Sequence, residues 1–165
     1  MKRREAFLSL LALTGWGWTT TAEAGPFGLF GKDEAPKKSL KWHSDLKAAH
    51  QLSQEQGKPM LVVFGADWCT YCKKLEKETL SHPDLVEYIT EGFIPVHLDA
   101  DKDQRVVEIL KVQGLPCSVV LSPAADEILR IEGYLQPSGY FQKLTTAKQQ
   151  YQKVQALQAA PAPPQ

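Results

Sequence analysis

The chain has 165 residues and sets 19 basic side chains against 19 acidic ones. That balance excludes a nucleic-acid partner held through its phosphates, because such binding needs a basic surplus to release counterions. Three cysteines are too few and too oddly numbered for a disulfide scaffold, so in an exported chain they point to redox chemistry and leave one thiol to be explained.

In chain order, residues 1–24 read as an address rather than as fold. Lys2, Arg3 and Arg4 form a basic start, Phe7 to Leu13 an apolar stretch, and Ala22-Glu23-Ala24 the small-x-small pattern of a signal-peptidase site. Cleavage there removes three basic and two acidic side chains and leaves 16 against 17. The alternative is a membrane anchor, but Ser9, Thr14 and Gly15 interrupt a stretch already short of the roughly 20 apolar residues a spanning helix needs. Contact with the membrane is therefore expected only through the transient signal. Arg3-Arg4 with Phe7-Leu8 approaches a twin-arginine signal, with one residue too many, so the general secretory route stays ahead.

Residues 25–39 mix Gly, Pro and charge without a period and read as a flexible linker. The compact domain is expected over residues 40–147. Ser44 caps a helix in which Leu46, Ala49, Leu52 and Ser53 follow a 3.6 period, and Gly57-Lys58-Pro59 stops it. Met60 to Phe64 is an unbroken apolar run of strand length, the pattern of a strand covered on both faces. A turn at Gly65 to Trp68 leads into a helix from Cys69 to Leu80, and Pro83 starts its continuation to Glu91. Phe93 to Leu98 is a second strand. Asp101 to Lys111 is a helix with Val106, Val107, Ile109 and Leu110 on its apolar side. Strands at Ser118 to Leu121 and Glu127 to Ile131 follow, then a last helix from Pro137. Residues 148–165 extend that helix through Gln158 and end in an Ala/Pro tail from Ala159, expected to be disordered. A β-α-β half followed by a β-β-α half is an α/β layout, a mixed four-stranded sheet with helices on both faces.

The strongest chemical signal is Cys69-Thr70-Tyr71-Cys72, directly after the buried strand and at the start of a helix. Two cysteines three apart on a first helical turn put both sulfurs on one face, close enough to bridge or to stay as a dithiol. Unpaired N–H groups at the helix start favour a thiolate on Cys69, which makes it the nucleophile and Cys72 the resolving thiol. An inert disulfide and half of a zinc site are the competing readings; no second cysteine pair or His-x-x-x-His supplies the rest of a zinc site. His43, His50, His82 and His97 are scattered, and His97 on a strand reads as a satisfied structural residue.

The segment Lys58 to Glu76, which contains Trp68-Cys69-Thr70-Tyr71-Cys72, resembles the active-site segment of thioredoxin-like proteins. Within that family it is most similar to the soluble carboxy-terminal domain of the thiol:disulfide interchange protein DsbD. The likeness continues through Gly114-Leu115-Pro116 and the Ile128 to Gly133 strand, over about residues 45–145. It implies the thioredoxin fold and a reductive member acting in the periplasm on disulfide-containing exported proteins. It also implies an upstream electron donor, such as a membrane thiol reductase, and no cofactor.

The resemblance further implies a cis Pro116 facing the cysteine pair, with Leu115, Pro116, Trp68 and Tyr71 as the substrate-docking rim. The buried Asp that the family carries six residues before its first cysteine is here Val63. Glu76, four residues after Cys72 on the same helix face, matches a second acid of the DsbD-type domain and is the candidate proton acceptor. Cys117 stands where the family commonly has Thr. It is either a buried, nearly isosteric replacement or a third thiol near the pair.

Three functions stay open at this point. The first is reduction of disulfides in exported proteins. The second is oxidation or isomerisation, since potentials across such folds differ by more than about 100 mV. The third is a copper-binding module that uses Cys69 and Cys72 as soft ligands.

Overall fold

A computed structural model of the chain describes residues 39–159. The signal, all but the last residue of the linker and the tail beyond Ala159 lie outside those residues. Ten elements follow in order: α1 (Leu46–Gln56), β1 (Met60–Gly65), α2 (Thr70–Lys74) continued by a π-helical turn (Leu75–Leu80), α3 (Pro83–Gly92), β2 (Ile94–Asp99), α4 (Gln104–Ile109), β3 (Cys117–Leu121), β4 (Glu127–Glu132) and α5 (Pro137–Ala159). The strands form one sheet in the order β2-β1-β3-β4. β1 and β2 are parallel, while β1/β3 and β3/β4 are antiparallel. This is the mixed four-stranded sheet expected from the sequence.

All six residues of β1 are buried, so both faces of the strand need cover. Alternation sends Leu61 and Val63 to one side, where Leu75, Leu80, Leu85, Ile89, Tyr140 and Leu144 from the later helices close a core. Met60, Val62 and Phe64 point the other way and meet Ala49 of α1, Leu98 and Val119, with Val106, Val107 and Leu110 packed at the edge. Each fully buried side chain of this size contributes about 1.5–3 kcal/mol relative to exposure, which is what holds two helical layers onto one sheet.

Element ends show where local chemistry decided. The α1 cap is Asp45 rather than the expected Ser44: its carboxylate accepts from the N–H groups of Lys47 at 2.8 Å and Ala48 at 3.2 Å. A carboxylate accepts two orphan donors at the positive helix end better than a hydroxyl does. Gly57, at φ 62°, ends α1 in the left-handed region that favours glycine. Pro83 does open α3. α4 is shorter than expected, six residues with none fully buried, and Ile109 is exposed rather than on the apolar side. Such a helix is too brief to carry a complete apolar face, and Lys111 then leaves the helical path at φ 51°.

α5 buries Tyr140, Leu144, Ala147 and Tyr151 on one stripe, and its helix runs through the Ala/Gln-rich segment to Ala159. The Tyr140 hydroxyl donates to Ser118 Oγ at 2.8 Å, so the one phenol wholly inside the core is satisfied. Tyr151 donates to the Gly57 carbonyl at 2.9 Å, tying the last helix to the end of the first.

Burial pushes the Tyr140 phenol well above its ordinary value, with the Ser118 contact partly offsetting the rise. The stability this phenol contributes is therefore fully present below about pH 10 and is lost as pH rises further, because only the unfolded chain ionises there. Replacing Tyr140→Phe is expected to cost about 1–3 kcal/mol in urea unfolding at neutral pH, by leaving Ser118 alone. The variant's stability should then fall less steeply than the parent's above about pH 10.

Candidate active site

The site begins where β1 runs out. Beyond Gly65 a short turn places Cys69 as the residue that caps α2, with extended backbone at φ −82° and ψ 102°. Its own N–H donates to the Ala66 carbonyl at 3.0 Å, and its carbonyl accepts from Lys73 N–H at 3.2 Å. The Sγ accepts the N–H of Cys72 at 3.1 Å, so the sulfur occupies the place a capping oxygen usually takes. Cys69 and Cys72 are joined as a disulfide with Cα atoms 5.3 Å apart. When that bond is reduced, the same N–H and the start of the helix favour negative charge on Cys69. Both residues are buried, at 5% and 3% exposure, with Cys72 the deeper.

Around this pair the candidate rim residues divide by exposure. Trp68 and Tyr71 stand out from the surface at 68% and 62% exposure. Trp68 is held there by its Nε1–H, which donates to Asp101 Oδ2 at 2.9 Å. Asp101 was not singled out by the sequence, because a contact across 33 residues leaves no local pattern. Leu115 packs against Ala66, Cys69 and Cys72, and the Leu115–Pro116 peptide is cis.

Cys117 is placed differently. It is buried in the cluster of Phe64, Leu98 and Val119, whereas Cys69 and Cys72 form a separate cluster with Ala66. Arg130 Nη1 lies 3.8 Å from its sulfur, and the same guanidinium donates to the Leu110 carbonyl at 2.7 Å and to Glu127. Burial pushes the Cys117 thiol up, and Arg130 only partly offsets this.

On the inner side of the pair, Val63 is buried at 2% exposure and offers no proton acceptor. Glu76, early in the π-helical turn, is half exposed, and its Oε1 lies 2.9 Å from Nε2 of His97. In the sequence, His97 has the pattern of a structural strand residue. The signal that finds it is the parallel ladder, in which Val63 and His97 are direct cross-strand partners. Among the described residues no group of three or more His, Cys, Asp or Glu is disposed to hold a metal ion, and no helix is long and apolar enough to cross a membrane.

Residues 46–148 match the family model of a thioredoxin-like domain. The chain is 33% identical over 113 residues to the thioredoxin-related protein DsbJ of Chlamydia pneumoniae, covering 61% of this chain and 32% of that one. It is 33% identical over 108 residues to the thiol:disulfide interchange protein DsbD of Vibrio cholerae, covering 62% of this chain and 18% of that one. The chain thus spans less than a third of the length of either relative. Among solved structures, the DsbH oxidoreductase superposes with a TM-score of 0.61 at 21% identity, over 76% of this chain and 96% of that one.

The separation of Cys117 from the pair has a direct readout. In the reduced, folded protein at about pH 8, iodoacetamide is expected to label Cys69 and to leave Cys117 unmodified until denaturant is added. Peptide mass mapping checks this, and rapid labelling of Cys117 in the native state would contradict its placement.

Proposed function

The chain belongs to the thioredoxin-like family, and from that premise we propose that it is a thiol:disulfide oxidoreductase that reduces disulfides of exported proteins. The observation that carries the reading is the Cys69–Cys72 disulfide at the start of a helix, with Cys69 Sγ in the capping position and exposed Trp68 and Tyr71 beside it. The Cys69 thiolate attacks one sulfur of a substrate disulfide and displaces the other as a thiolate, leaving a mixed disulfide. Cys72 gives up its proton to the Glu76 carboxylate and attacks Cys69 Sγ. The second substrate thiol leaves, and the Cys69–Cys72 disulfide forms as the structure holds it. An upstream dithiol donor, such as a membrane thiol reductase, returns two electrons for the next round.

Trp68, Tyr71, Leu115 and Pro116 are the docking surface in this reading: Trp68 and Tyr71 are exposed next to the pair, Leu115 packs against it half-buried, and Pro116 lies buried behind Leu115. Export is supported by the basic start, apolar stretch and Ala22-Glu23-Ala24 of the leader, and the chain's place of work is then the periplasm. The reductive direction is what the resemblance of the active-site segment implies, and the interchange protein, of which this chain matches 18%, is by name an exchanger of thiols and disulfides.

Two measurements test the proposal. Cys72→Ser should accumulate a mixed disulfide with a scrambled substrate, visible on a non-reducing gel, while Cys69→Ser should form none. Equilibration with glutathione should give the Cys69–Cys72 couple a potential of about −200 mV or lower; a value near about −120 mV would make the protein an oxidant and reverse the direction.

A further inference from the structure

The resolving step needs an acid–base group close to Cys72, and the half-exposed Glu76 can serve only if something fixes its carboxylate. Three observations converge on His97. Its Nε2 lies 2.9 Å from Glu76 Oε1, a separation that requires a shared proton, and an Nε2–H donated to the carboxylate supplies it. As the ladder partner of Val63, His97 leaves the sheet on the face that Val63 uses, one strand across from the acid-less position.

The third observation is the space the ring occupies. A Cβ on Gly65 would stand 3.3 Å from His97 Nε2, 3.5 Å from Cε1 and 3.6 Å from Cys72 Cβ. The missing side chain is what lets the imidazole and Cys72 border the same small gap.

Two other cations in this region are held by carboxylates of their own. Lys102 is bonded to Asp99 at 2.8 Å and holds that carboxyl below its usual range. Lys74 lies 4.0 Å from Glu78. Asp67, Lys73 and Asp103 complete the charged lining of the cleft of about 550 Å³ beside Gly65. Among the described residues, His97 is the side chain bonded to Glu76.

We propose that His97 is a positioning residue for the resolving step, holding the Glu76 carboxylate at the gap left by Gly65 so that its free oxygen takes the proton of Cys72. The inference rests on the disulfide-exchange reading above. In the step, the Cys72 S–H bond breaks and its proton goes to Glu76, while the sulfur's electron pair forms the bond to Cys69 Sγ. The bond between Cys69 and the substrate sulfur breaks, and that sulfur leaves with the electron pair and is protonated. The dithiol loses two electrons and the substrate disulfide gains them. His97 keeps its proton throughout.

An aromatic disulfide with a coloured thiolate separates the two steps. Mixed with reduced protein in equal amount, it releases one thiolate when Cys69 attacks and a second when Cys72 resolves. His97→Leu is expected to leave the first phase unchanged and to slow the second at least about tenfold, with its circular dichroism and urea unfolding curve reporting the fold separately. Glu76→Gln should match it, and the double variant should be no slower than either single one. His97→Gln retains an N–H donor and should restore the second phase to within about threefold of the parent. Resolution at the parental rate in His97→Leu, or multiplying losses in the double variant, would overturn the role of His97. A parent that never releases the second thiolate would overturn the oxidoreductase reading itself, and this inference with it.

Discussion

Six consecutive residues of β1 are buried, and the backbone groups of such a strand are satisfied by neighbours on both edges. β2 and β3 supply those edges, one parallel and one antiparallel, and the helices laid over the two faces follow from the side chains that alternate between them. The redox pair depends on this constraint. Strand β1 is held so firmly that the turn at its end delivers Cys69 to a fixed point, and the helix that begins there covers the strand it came from through Leu75 and Leu80.

How much of this could be read in advance depended on the range of the interaction. The β1 run, the proline that opens α3 and the Cys69–Cys72 pair are set by neighbours in sequence, and they stand where the sequence put them. The competition between Ser44 and Asp45 for the α1 cap is also local. There two adjacent residues each satisfy the rule, and only the geometry of the first turn separates them. The failure at Ile109 has another cause: a periodic pattern over eleven residues says nothing about a helix that stops after one and a half turns. Likewise, no pattern announces that the helix beyond Lys74 widens into a π-helical turn.

The site itself was half legible. Cys69, Cys72, Trp68 and Tyr71 come from one contiguous motif. His97 and Asp101 reach it from β2 and from the loop beyond, and their partners lie 21 and 33 residues away. Cys117 was open between a buried replacement and a third thiol near the pair. The sequence cannot separate these, because both follow from a position next to Pro116, and it is the register of β3 against β1 that puts the sulfur in the core cluster with Phe64, Leu98 and Val119, beside Arg130.

The two tyrosines of α5 also join the two ends of the domain. The core over Leu61, Val63 and Leu75 is closed by Tyr140, Leu144 and Ala147, and the final tie runs from Tyr151 back to Gly57 across 94 residues. The core that the active-site helix covers is therefore assembled from both ends of the domain, and the side chains of Leu61, Val63 and Leu75 are fully covered only when those of Tyr140, Leu144 and Ala147 are in place.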